Sequence, residues 1–273
     1  LFLMMFFAAY NENVSIGGVS GLVNRNAPYT INVAMSIMLV FGTMIISAIM
    51  GVPVFRDFDY RFHEIIFTTP VKKSQYLAGR FLGSYVIGLF VFSGLIWGNI
   101  VGSSFPGVNT EHIGPFMLSA YINPFLLYVV PNVFMLGILF FAMGSIFRNQ
   151  LAIYVQGVIL FALYLIILSS QRDIESNRLL SILDPFGFVA TTNVTRYWTV
   201  SEKNSMIVPF TGLLLYNRLL WTSIALVIGG VFFKMFKFSS ASSLIRKKKI
   251  KDEVEQTVIK SHTIPQLTYH HDF

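Results

Sequence analysis

From Ile31 to Phe55 the chain carries no charged residue. An α-helix rises about 1.5 Å per residue, so a run of this length crosses the ~30 Å apolar core of a bilayer. In hydrocarbon each backbone N–H and C=O must be satisfied within the spanning segment, which a helix does and an open strand does not. Five further apolar runs follow: Leu1–Ala9, Phe81–Val101, Phe125–Phe147, Leu151–Ser169 and Leu219–Phe233. Leu1–Ala9 starts inside apolar sequence and reads as the end of a longer first span. Leu219–Phe233 is short, but Arg218 and Lys234 at its ends can snorkel to water. These runs predict an all-α integral membrane protein with six spans.

Composition closes the soluble alternatives. Charged residues make up 12% and hydrophobic residues 54% of the 273 positions; soluble domains carry about 25% charged residues. A globule of this size has too little interior for so much apolar surface, and disorder requires low hydrophobicity. There is no Cys, which removes disulfides, thiolate catalysis and Cys-based zinc sites from this chain. The net charge of +7 does not point to nucleic acid, because Lys and Arg in a membrane chain set its orientation.

Basic residues alternate along the chain. Between spans two and three lie Arg56, Arg61, Lys72, Lys73 and Arg80; between spans four and five lies Arg148; after span six lie Lys234, Lys237, Arg246, Lys247, Lys248, Lys249, Lys251 and Lys260. Val101–Tyr121 has no Lys or Arg, and Tyr10–Thr30 has only Arg25. The long Gln171–Arg218 loop has five, but long loops follow the rule weakly. The expectation is a membrane domain over residues 1–238 with both ends cytoplasmic. Within it, 56–80 is a cytoplasmic segment and 171–218 an extracytoplasmic loop, and a basic tail occupies 239–273. The Gly-rich Ile16–Gly21 stretch reads as a re-entry turn.

All 13 acidic residues fall outside the six runs. Ion-coupled carriers place ionisable groups inside the membrane, so this emptiness argues against one. The polar residues left inside are Asn99, Asn132 and Gln156. They serve either helix–helix hydrogen bonds, the commoner role, or substrate contacts. Gly94, Gly98 and Gly102 form a small-residue ridge of the kind that lets helices approach closely.

The stretch Arg56–Arg80 is the most informative. Phe58, Phe62, Ile65 and Ile66 recur at helical spacing and predict one amphipathic helix over Arg56–Pro70. Asp57 and Asp59 would sit in its first turn, favoured by the dipole. Pro70 would stop it, and Ser74 would cap the next span. Such a helix is either an interfacial anchor or a docking element. Its mixed polar face, Asp59, Arg61, His63 and Glu64, favours docking, because a lipid anchor carries mostly Lys and Arg there.

Catalytic motifs are incomplete. His63-Glu64 begins H-E-x-x-H, but position 67 is Phe, so the second zinc ligand is missing. There is no G-x-x-x-x-G-K-[ST] phosphate loop and no nucleophile elbow. The chain itself predicts no cofactor, no metal and no catalysis.

The run from Asp57 to Gly83, with Thr68-Thr69-Pro70 followed by Tyr76-Leu77-Ala78-Gly79-Arg80, resembles the loop of type 2 ABC exporter permeases. More narrowly, the chain is similar to bacterial permeases fused to a zinc aminopeptidase-like domain. The matching pieces are Asn24-Arg-Asn-Ala-Pro-Tyr29, Asp184-Pro-Phe-Gly187, Arg196–Asn204 and Gly212–Trp221. The resemblance implies a six-helix permease half in the bacterial cytoplasmic membrane, ATP on a partner ABC ATPase subunit, and a second permease half. It implies that Arg56–Pro70 is the coupling helix. Asp57, Asp59, Arg61, His63, Glu64, Thr68, Thr69 and Pro70 would face the ATPase, and Phe58, Phe62, Ile65 and Ile66 would pack inward. The alternatives are a membrane anchor for a fused peptidase-like enzyme and a scaffold without transport.

Overall fold

The computed structural model of the protein describes residues 1–236, except positions 12, 15, 17–20 and 170–173, with backbone only at 167–169 and 174–177. The basic tail 239–273 and most of the Gly-rich turn lie outside the described residues. Among the described residues, all α- and π-helical structure runs in chain order as α1 (Phe2–Tyr10), α2 (Pro28–Asp59), α3 (Phe62–Ile66), α4 (Lys73–Ser104), α5 (Leu118–Pro124), a π-turn (Phe125–Val129), α6 (Val130–Phe147), α7 (Gln150–Ser169), α8 (Ile174–Leu183), α9 (Phe188–Val194), α10 (Val200–Ser205) and α11 (Gly212–Met235). There is no strand among them.

Four helices are long and apolar enough to cross a membrane: Pro28–Asp59, Lys73–Ser104, the continuous Leu118–Phe147, and Gly212–Met235. Over its described residues the chain is an all-α, multi-pass membrane protein. α7 is also apolar but shorter over its described side chains, Gln150–Ile166, and α1 has nine residues.

The helices overrun the apolar runs that mark them. α2 starts at Pro28, whose fixed φ suits a first helical turn. The fourth run was expected to begin at Phe125, yet the helix begins at Leu118 and absorbs Pro124 and Pro131 through the π-turn. The last run begins at Leu219, yet its helix, α11, already begins at Gly212. Hydrophobicity marks the length that meets lipid, whereas helix ends are set by breakers and caps.

α2 is the central helix. Met35, Leu39, Ile46 and Met50 are fully buried against Phe92 and Leu95 of α4, Tyr128, Val133, Leu136 and Phe140 of the Leu118–Phe147 helix, and Ile153 of α7. α1 lies along the ridge of α4. A Cβ at Gly98 would collide with the Phe2 carbonyl oxygen, and one at Gly102 with that of Phe6. Glycine at these positions lets the backbones touch, gaining dispersion that lipid cannot replace. The outer side of α4 leaves Leu82, Val86, Ile87, Phe90 and Trp97 exposed.

Candidate functional site

The α2–α4 elbow departs from the expected single amphipathic helix. Nothing between Phe55 and Asp59 breaks a helix, so α2 continues through Asp59 and stops at Tyr60. Arg61 then takes left-handed backbone, φ 56°, which costs a non-glycine residue about 1–2 kcal/mol. Only then does the five-residue α3 form. Asp57 and Asp59 therefore lie in the last turns of α2, not in a first turn. The apolar set Phe58, Phe62, Ile65, Ile66 is split: Phe58 and Ile66 pack inward, while Phe62 and Ile65 face out, 47% and 63% exposed.

The end of α3 is satisfied locally. The hydroxyls of Thr68 and Thr69 donate to the carbonyls of Ile65 and Ile66 at 2.7 and 2.5 Å. Ser74 is not the cap of α4. The helix starts at Lys73, and the Lys72 N–H donates to Gln75 Oε1 at 2.9 Å.

Two adjacent residues brace the elbow. Asp57 is buried and accepts from Tyr76 Oη at 2.7 Å and Arg80 Nη2 at 2.6 Å. A carboxylate near a helix C-terminus opposes the dipole, and the Arg80 charge offsets this. Tyr76 and Arg80 stand at i, i+4 on α4, so one face of α4 meets one carboxylate. The Phe58 ring lies 4.3 Å from His63 and carries the Arg148 guanidinium 3.7 Å over its face. Phe67 and Phe236 meet it edge-on. His63 is buried, with Nδ1 3.1 Å from the Asp57 carbonyl oxygen, which takes the ring N–H. α3 is thereby joined to α2, α4, the α6–α7 link and the end of α11. Lys73 over the Phe233 ring adds a second contact to α11.

Of the polar residues singled out from the sequence, Asp57 and His63 are used inside the elbow. Asp59, Arg61, Glu64, Thr68, Thr69 and Pro70 are exposed. Tyr60, 76% exposed, joins Phe62 and Ile65 to make the surface partly apolar. His63 and Glu64 do not converge on a metal, since one is buried and the other faces out. Among the described residues no group of three His, Cys, Asp or Glu could hold one. Tyr76, Arg80 and Arg148 were not singled out as partners of the elbow. The i, i+4 spacing of Tyr76 and Arg80 opposite Asp57 was the available signal.

The opposite end is closed by polar staples. Arg25 donates to the carbonyls of Ala9 and Tyr10, both at 3.0 Å, at the C-terminus of α1. Asn26 and Gly114 exchange two hydrogen bonds of 2.7 Å, and Asn204 accepts from the Asn24 N–H at 2.8 Å. In the Asp184–Gly187 turn, Asp184, Phe186 and Gly187 are buried. Asp184 accepts from the N–H groups of Phe186 and Val189 at 2.8 and 2.7 Å. Burial pushes its carboxyl above the ordinary range, against the pull of these donors and of Arg218. Asn217 donates to the carbonyls of Ser181, Ile182 and Asp184, and Arg218 to that of Pro185 at 3.3 Å. Gly187 has φ 81°, and a Cβ there would strike Arg218.

The intramembrane polar residues do not converge. Asn99 accepts from Tyr121 Oη at 3.1 Å. Asn132 donates to the Phe186 carbonyl at 3.3 Å. Gln156 Oε1 is buried without a partner among the described residues. Gly94 faces Phe2 beside the tighter Gly98 and Gly102 contacts.

Comparison with family models, with curated proteins and with solved structures finds no match for this chain.

Proposed function

We propose that the chain is the membrane-spanning half of an ATP-driven exporter permease of the bacterial cytoplasmic membrane. It spans six times with both ends cytoplasmic, and its α2–α4 elbow takes the stroke of a partner ATPase. ATP is bound by that partner, and a second permease half completes the pathway.

The observation that carries this reading is the elbow's construction. Its inner side is braced by Asp57, Phe58 and His63, so force on α3 passes directly into α2 and α4. Its outer side presents Tyr60, Arg61, Phe62, Glu64 and Ile65, a mixed surface of the kind that interface cores and rims use. Arg148 and Lys73 are packed against the same elbow. In this orientation the basic end faces the cytoplasm.

The test is affinity purification of the full-length protein in mild detergent, with ATP hydrolysis measured on the eluate. The expected result is a co-purifying ATPase subunit, lost in the double variant Arg61→Ala, Glu64→Ala while membrane insertion is kept. Stimulated ATPase activity that survives both substitutions would contradict the coupling role. A single polypeptide without ATPase would contradict the permease reading.

A further inference from the structure

Arg56 and Arg80 mark one depth in the bundle. Arg56 is the first charge after the uncharged run from Ile31, and Arg80 is the last before Phe81–Val101. Both line a cleft of about 490 Å³ between α2 and α4. Away from the two arginines the cleft is walled mainly by Ile49, Val52, Pro53, Gly83 and Ile87, and the one hydroxyl there, Ser84, donates to the Arg80 carbonyl at 2.9 Å. It is open space: a Cβ at Gly79 or Gly83 would meet nothing within 4 Å.

The charges at the mouth do not cancel. Asp57 holds Arg80 through Nη2 at 2.6 Å. Arg56 is exposed, and its guanidinium has no partner among the described residues. Two guanidinium groups against one carboxylate leave a net positive mouth over an apolar trough. A guanidinium takes a phosphate through paired N–H donors, and basic pockets between membrane helices at the headgroup level suit acidic lipids.

We propose that this cleft binds an anionic phospholipid of the adjacent leaflet. The phosphate rests on Arg56 and on the N–H groups of Arg80 that Asp57 leaves free. The first methylenes of one acyl chain fill the trough beside Gly83. A lipid there wedges between α2 and α4 next to the Asp57–Arg80 brace, so the angle of the elbow responds to leaflet composition. The site requires no ATPase, and its failure would leave the permease reading standing.

The test is native mass spectrometry of the full-length protein taken from vesicles of equimolar phosphatidylglycerol and phosphatidylcholine. The wild type should retain phosphatidylglycerol preferentially. Arg56→Gln removes the charge and leaves the trough, and should reduce that enrichment roughly five-fold, the attraction of a single arginine to an anionic surface. Gly83→Leu fills the trough and leaves both arginines, and should reduce retention of both lipids. Among the described residues Arg56 has no partner to lose, and Gly83 has room for a side chain, so unchanged thermal midpoints should show that both variants fold. Equal retention of the two lipids by the wild type would overturn the proposal. So would loss on Arg56→Gln with no effect of Gly83→Leu, because the cleft would then read a phosphate without its chain. A wild-type dimer without lipid, broken by Gly83→Leu, would assign the cleft to a second copy and overturn it as well.

Discussion

At the end of the bundle that carries Asp184 and Arg218, the Asn217 amide and the Arg218 guanidinium close on backbone carbonyls, and the Asp184 carboxylate closes on backbone N–H groups. At the end that carries Asp57 and Phe58, bracing rests chiefly on Asp57, Phe58 and His63, and the outer side stays partly apolar. A buried polar network fixes one arrangement, because every group removed leaves another unsatisfied. A small brace with an unspent outer surface holds a shape and still offers contacts. On the proposed function, the first end stays shut and the second is the one a partner pushes.

The sharpest way to break the contrast is at Arg218. Arg218→Leu removes the counter-charge of a fully buried Asp184, and should cost about 3–5 kcal/mol. The measurement is the thermal midpoint in detergent. Adding Asp184→Asn should return part of the loss, because the two sites share one network. If the single variant melts with the wild type, the closed end is not held as described.

Asp57→Asn should cost less, about 1–3 kcal/mol. Asparagine can still accept from Tyr76, and Arg80 is 38% exposed and can return to water. The same midpoint checks it, and a loss as large as that of Arg218→Leu would erase the difference between the two ends. Arg61→Ala with Glu64→Ala should shift stability by no more than about 0.5 kcal/mol, as exposed positions do, while abolishing partner-stimulated ATP hydrolysis. A large stability loss there would make the outer surface structural.

The smallest effect concerns α10. The N–H and hydroxyl of Thr199 hold the Glu202 carboxyl below its ordinary range. The folded state then binds this proton less readily than the unfolded chain. Its stabilisation is complete above the ordinary value of 4.5 and is lost as pH falls through the lowered one. Glu202→Gln should remove that acid dependence, seen as a flatter profile of unfolding midpoint below pH 5. An unchanged profile would place the acid sensitivity elsewhere.

Membrane class and the approximate place of the long helices were legible because uncharged runs such as Ile31–Phe55 have few other uses. The elbow was legible as special but not in shape. Period-3.6 spacing joined Phe58 to Phe62 across a break that no Gly or Pro announces, since Arg61 itself adopts the left-handed backbone. A helix pattern cannot tell that Phe58 closes one helix and Phe62 opens the next. The staples at the other end were legible only as quoted motifs. Asn26 meets Gly114, and Asn24 meets Asn204, across separations that periodicity does not reach.

The most direct test of the account uses the absence of cysteine from this chain. Ile65→Cys places one thiol at the centre of the elbow surface, and Val200→Cys places one on exposed α10 at the closed end. Each variant is treated in native membranes with a short thiol-to-amine cross-linker, and the adducts are tested for ATP binding. An ATP-binding adduct is expected from position 65 and none from position 200. No adduct at position 65, or equal adducts from both, would contradict it.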